Sequence, residues 1–299
     1  MNTDKAFRLS LFFFTISSFI IVASIVVSLI ATSYPIFMRD GLSFIIRGAW
    51  NPVREDYGIL PALLGTLITS AIAIAIALPL SISLAVFSSE LIPGKFKIIM
   101  NNVSDLMASL PSVIYGLWGL FVLAPILHQF VMMPLHMHLG FIPLLSTRPV
   151  PTNLFTAGVL LAIMIVPFAS SVIREAYSAI PYYLKEAAYS LGMNRWEVIR
   201  MMLGYIKSAI FAGTFLALGR AMGETVAVAM VVGNIMRFPK SLFDMGYTIS
   251  SLIASQFPNA EAYEFMVPAL YGGAFMLFIM GLAINLIGFS MMRRMVVHR

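Results

Sequence analysis

Two side chains in this sequence stand where charge is costly. Arg220 and Glu224 fall inside an apolar run from Ile206 to about Val232 whose only other charge is Lys207, at its start. A charge at the centre of a membrane span costs about 2.5–3.5 kcal/mol on insertion scales, so such residues are functional candidates by default. Four residues apart, the two share one helix face and are expected to pair. Paired, they are nearly neutral; parted by a solute, they form a reactive site. Arg220 can offer two parallel N–H groups to an oxyanion, and Glu224 would act as the counter-charge that keeps the anion from being held too tightly. Thr225 and Asn234 add polar groups along the same run. Gly219 and Gly223 make a small-xxx-small face that admits a neighbouring helix. The competing reading is a structural ion pair that only holds a bundle together.

The surrounding chain has to be a bundle of spans. Of 299 residues, 60% are hydrophobic and 11% charged, and the mean hydropathy is +0.92. That excludes an ordinary soluble domain. At about 20 residues per span, apolar runs fall at Leu9 to about Thr32, Leu60 to about Phe87, Leu106 to about Leu127, Leu154 to about Ile173, Ile206 to about Val232 and Met266 to about Met292. The expectation is an all-α polytopic membrane protein of six transmembrane helices. The first run exceeds a signal-peptide core of about 7–15 residues and is read as a retained span. The domain reading is residues 1–59 for the first span and outer loop, 60–292 for a core of five spans, and 293–299 for a tail. With both termini inside, Lys5, Arg8, Lys95, Lys97, Arg174 and Lys185 head a cytoplasmic majority of basic residues. Arg39, Arg47, Arg54, Arg148, Arg237 and Lys240 lie outside, and this bias orients the chain with its termini in the cytoplasm. The net charge of +6 follows from topology and does not call for a nucleic acid.

The largest inner segment, about 180–202, reads as helix, sharp turn, helix. Pro181 suits a first helical turn, Gly192 a stop, and Asn194 with Glu197 a capping box opening the second helix. Ala187, Ala188 and Gly192 keep the turn slim, while Tyr189, Leu191, Met193 and Trp196 are large apolar anchors. Such a loop can seat in a groove of a cytoplasmic partner or simply rest on headgroups.

Other motifs exclude chemistry. There are no cysteines, hence no disulfide, iron–sulfur or thiolate zinc site. His128, His136 and His138 stand among Met132, Met133 and Met137 between spans three and four. A soft-metal site is conceivable there, but an amphipathic hairpin at the membrane surface is the favoured reading, and no metal ligand is assigned. The one Gly-Lys pair, Gly94-Lys95, lacks the rest of a phosphate-cradling loop. If ATP drives this protein, another chain binds it.

Glu186-Ala187-Ala188-x-x-x-Gly192 is similar to the signature of permease subunits of ATP-binding-cassette importers, although Leu203-Gly204 stands where that pattern closes with Leu-Pro. Leu218 to Val228, Leu110 to Gly119, Glu55 to Gly65 and Trp50-Asn51-Pro52 resemble phosphate-specific permeases of the PstC type, from about Gly41 to the carboxyl end. The resemblance implies a type I importer permease fold and an inner-membrane location. It also implies a PstA-like second permease subunit, a cytoplasmic ATPase dimer using ATP and Mg, and an outer phosphate-binding protein. This chain itself would bind no cofactor and catalyse no reaction. Arg220 and Glu224 match the family's charged positions in phosphate passage, Thr225 adjoins them, and Ser109, Pro111, Ser112 and Tyr115 are further pathway candidates. Glu186, Ala187, Ala188 and Gly192 would couple to the ATPase. A permease for sulfate or molybdate, an intramembrane enzyme and a proton-coupled carrier using Glu224 are the rival readings.

Overall fold

The computed structural model describes residues 2–297. Helix α1 (Asn2–Asp40) is apolar around its whole circumference, and Phe12, Phe13, Phe14 and Ile21 are exposed. A helix hydrophobic all round fits a membrane span whose solvent is lipid. Helix α2 (Leu60–Val86) ends in a π-turn, Phe87–Leu91, just before Pro93. Helix α3 (Gly94–Ser109) stops because Leu110 precedes Pro111 and takes an extended conformation, as a residue before proline favours.

Span three is therefore not Leu106 to Leu127. It is helix α4, Ser112–Leu139, and it carries π-turns at Gly119–Leu123 and His128–Met132. Each π-turn sits just ahead of a proline, Pro125 or Pro134, whose ring lacks the N–H an α-turn needs. The helix continues through His128, His136 and His138 and turns back at Gly140, where the sequence suggested a surface hairpin. His136 Nδ1 lies 2.9 Å from the Leu145 carbonyl. No group of three potential metal-ligating side chains occurs among the described residues.

Helix α5 (Leu154–Ser178) is the hub. Asn153 caps it by accepting the Thr156 N–H at 2.8 Å. Its Leu160, Leu161 and Ile165 are fully buried in a central cluster with Tyr115, Val231 and Phe243. It packs most closely against α2, where a Cβ at Gly158 would lie 2.6 Å from Ile72. The Arg174 guanidinium joins it to α3 through Asn101 at 3.0 Å and Asp105 at 3.1 Å.

Helices α6 (Tyr182–Ser190) and α7 (Arg195–Tyr205) form a hairpin. Gly192 turns it at φ +80°, a left-handed conformation that a side chain would strain, and Asn194 with Glu197 forms the capping box. Helix α8 (Lys207–Gly223) leaves α7 with a 65° bend. Span five is thus broken twice: at Ile206 and again after Gly223, where the short α9 (Val226–Val231) begins. Helix α10 (Ile249–Gln256), with its own Thr248–Ser251 capping box, leads towards α11 (Met266–Val297). The last helix runs beyond the expected tail boundary at 293; His298 and Arg299 lie outside the described residues.

Among the described residues, five helices are long and apolar enough to cross a membrane, and six if the bent α7–α8 pair counts as one. At the end opposite the α6–α7 hairpin, Phe44, Tyr57, Ile59, Ile249 and Met266 form a second cluster. There a two-residue antiparallel pair, β1 (Trp50–Asn51) with β2 (Asp56–Tyr57), contributes Tyr57 to that cluster, with Trp50 packed against it. At the hairpin end a third cluster joins Ile173 and Tyr177 to Val198, Met202 and Ile206.

Candidate functional site

Arg220 lies in the last turn of α8, where a cation complements the partial negative charge of a helix carboxyl end. Its guanidinium carbon sits 5.6 Å from the centre of the Phe168 ring, about midway along α5. The side chain is exposed, and among the described residues it makes no hydrogen bond or ion pair. The expected Arg220–Glu224 pair is therefore not formed. The reason is local: α8 ends at Gly223, and Glu224 takes extended backbone angles, φ −67° and ψ 127°. An i, i+4 contact needs an unbroken turn between the two residues.

The break is held by its own hydrogen bonds. The Thr225 N–H donates to Glu224 Oε1 at 3.3 Å, and the Thr225 hydroxyl donates to the Gly223 carbonyl at 3.0 Å. From α10, the Ser250 hydroxyl donates to the Met222 carbonyl at 2.9 Å. Orphaned carbonyls at the end of α8 thus find partners without water. Glu224 and Thr225 are half-buried. Asn234 stands further on with φ +52°, its amide donating to Ala229.

Tyr115 and Arg220 are brought within electrostatic range of one another. The Tyr115 hydroxyl donates to the Met107 carbonyl at 2.8 Å, which ties the start of α4 to the end of α3 across the Pro111 break. Ser112 opens α4. Gly116 lets α9 approach: a Cβ there would lie 3.0 Å from Ala227 Cα. Gly219 faces Asn285 of α11, whereas among the described residues nothing lies within 4 Å of a Cβ at Gly223. The small-xxx-small face is thus occupied by this chain at one glycine and open at the other. Asn285 was not singled out from the sequence; a lone amide in an apolar run was the available signal.

In the hairpin, Glu186 and Ala187 are exposed while Ala188 is 2% exposed and packs into the third cluster. Tyr182, Leu191 and Trp196 are 72, 84 and 67% exposed, a concentration of unpartnered apolar surface of the kind that marks contact sites. Sequence reasoning missed the residue that anchors the hairpin. Glu90, in the π-turn after α2, accepts from Lys185 Nζ, and its carbonyl accepts from Arg195 Nη2. An acidic residue just past the end of one span, with basic residues in the loop that returns to the same end of the bundle, was the only trace of it.

An all-α bundle with a broken, charge-bearing span and an exposed helical hairpin defines the transmembrane subunit of a transporter. The chain superposes on a chain of the MetNI methionine ABC transporter in an inward-facing conformation with a TM-score of 0.54. The match covers 81% of this chain and 95% of the other, at 17% identity; this is the type I ABC importer permease fold. Residues 77–296 match the model of the binding-protein-dependent transport system inner membrane component, and the chain belongs to that family. It is 42% identical to a protein of Methanocaldococcus jannaschii named Probable phosphate transport system permease protein PstC, over 87% of this chain and 84% of the other. It is 41% identical to the Phosphate transport system permease protein PstC of Xylella fastidiosa, over 86% of this chain and 80% of that one. The chain is thus a multi-pass inner-membrane transport component.

Proposed function

We propose that this chain is the permease subunit of an ATP-driven, binding-protein-dependent importer that carries inorganic phosphate into the cytoplasm. One observation carries the reading: Arg220 stands unpaired at mid-depth of the bundle, beside a break in its own span, in a chain about 40% identical to phosphate permeases. An unpaired guanidinium in that setting is costly unless a solute partners it. Discontinuous spans place polar backbone where a substrate passes. Arg220 would bind two oxyanion oxygens, with Tyr115 and Ser112 on the facing segment and Glu224 and Thr225 in the break.

The remaining parts follow from the same reading. A PstA-like subunit completes the pathway, a cytoplasmic ATPase dimer hydrolyses ATP with Mg, and an outer phosphate-binding protein delivers the anion. Both termini are cytoplasmic, which puts the α6–α7 hairpin on the ATPase side. Glu186, Ala187 and Gly192 supply its exposed face and turn, and Ala188 seats it on the bundle. ATPase closure draws the hairpin, and the 65° bend between α7 and α8 turns that displacement into a tilt of Arg220. Labelled phosphate uptake in cells lacking this chain, and in the same cells with it restored, tests the reading, with sulfate as control. Restoration of phosphate uptake alone supports it; normal uptake without the chain, in cells with no second phosphate system, overturns it.

A further inference from the structure

A second cationic site lies at the end of the bundle away from the hairpin. The segment before α5 and the segment after α9 enclose a cavity of about 190 Å³ lined by Thr147, Arg148, Arg237, Phe243 and Asp244, among others. Two backbone bonds hold the segments in place: Leu154 N–H donates to the Asp244 carbonyl at 3.0 Å and Phe155 N–H to the Leu242 carbonyl at 2.9 Å. Arg148 and Arg237 are exposed and make no hydrogen bond or ion pair among the described residues.

Asp244 is 7% exposed. Its Oδ2 accepts the Lys240 N–H at 2.7 Å and the Ser241 N–H at 2.9 Å, and among the described residues no hydrogen bond reaches Oδ1. The lining thus brings together two arginines with no hydrogen bond or ion pair among the described residues, a threonine, and a carboxylate with spare acceptor capacity. At roughly 30 Å³ per water, the volume suits one small hydrated anion and is too small for a peptide segment.

We propose that this cavity is an anion station that takes a protonated tetrahedral oxyanion, inorganic phosphate, before it reaches Arg220. The proposal rests on the oxyanion-permease reading and deepens it. Arg148 and Arg237 each present a fork matching two oxyanion oxygens. Asp244 accepts the hydrogen bond of a P–OH group. A fully ionised anion such as sulfate has no proton to give, so the same carboxylate repels it, and attraction to one anion is joined to rejection of the other. Two cations and one anion also leave a net positive mouth that concentrates anions near it.

The test is equilibrium binding of labelled inorganic phosphate to the full-length chain in lipid nanodiscs at fixed ionic strength. The Arg220→Gln background is used so that binding reports the cavity alone. Saturable binding is expected, weakened about tenfold or more by Arg148→Gln with Arg237→Gln and less by the corresponding lysine pair. Asp244→Asn keeps an oxygen for the Lys240 and Ser241 N–H groups but replaces the second acceptor with a donor. It should narrow the preference for phosphate over sulfate by about tenfold or more. Unfolding temperatures matching the background show that the variants are folded. Absence of saturable binding, or binding unchanged in the double glutamine variant, overturns the proposal. So does a double variant that binds phosphate normally but loses affinity for the binding protein, because the arginines would then serve a protein contact. Import by the wild-type complex is scored separately: a transporter that imports phosphate but shows no binding here loses the station and keeps the permease reading.

Discussion

Lys185 donates to Glu90 Oε1 while its ammonium lies 4.8 Å from the centre of the Tyr177 ring. One side chain of the hairpin thus grips the ends of two spans, α2 through Glu90 and α5 through Tyr177. The side chains of Lys185 and Glu90 are only 19 and 17% exposed, so solvent screens this pair less than a surface ion pair. A displacement of the hairpin therefore reaches the α2–α5 core directly, besides the route through α7 and α8.

That linkage predicts an uncoupled transporter when Glu90 is neutralised. A hydrogen bond to a charged group contributes about 1.5–3 kcal/mol, so Glu90→Gln should lower phosphate imported per ATP hydrolysed by about tenfold while ATP hydrolysis persists. The exchange Glu90→Lys with Lys185→Glu should recover part of it. Parallel loss of hydrolysis and import would place Glu90 in assembly instead of coupling.

The hairpin's two neighbouring alanines should behave differently. Ala187 is exposed and Ala188 is 2% exposed, so Ala187→Cys should crosslink to a cysteine on the ATPase and Ala188→Cys should not. Crosslinking by neither, with the complex assembled, contradicts the docking assignment.

Packing between α2 and α5 can be tested at Gly158. Alanine there puts its Cβ 2.6 Å from Ile72, and overpacking of this kind costs about 1–3 kcal/mol. Gly158→Ala should lower the unfolding temperature by several degrees. Gly204→Ala, inside α7 and with no described atom within 4 Å of the added Cβ, should not lower it and should raise it slightly, because alanine is the better helix former.

Alkaline stability should depend on Tyr57. Burial, then the nearby Glu55 carboxylate, pushes its hydroxyl from the ordinary value of 10 up to about 12. The folded state then holds a proton that the unfolded chain releases above pH 10, so this stabilisation is complete below pH 10 and declines as pH rises towards 12. The full window corresponds to roughly 2–3 kcal/mol. Between pH 9 and pH 11, wild type should lose more stability than Tyr57→Phe; equal losses would contradict the assignment.

Much of this molecule is legible in its sequence because the bilayer imposes simple rules. Apolar length located the first, second, fourth and last spans, and Pro181, Gly192 and the Asn194–Glu197 box located the hairpin to within a residue or two. What escaped was set by tertiary context. The break after Gly223 carries no proline and follows a good helical pattern, so only bonds such as Ser250 to Met222 reveal why the helix stops there. That break undoes the Arg220–Glu224 pairing inferred from spacing. The π-turns of α4 were hidden for a related reason: prolines marked the irregular places, but not that the helix would absorb them and continue to Leu139.

The most direct measurement of the central claim is phosphate uptake by Arg220→Gln and Arg220→Lys at equal membrane abundance, with hydrolysis by the assembled complex followed in parallel. If Arg220 partners the anion through its planar fork, glutamine should abolish uptake and lysine should restore only a small part of it, while both complexes assemble and hydrolyse ATP. Uptake at the wild-type rate in Arg220→Gln would contradict the account and reduce Arg220 to a cation that complements the end of its helix.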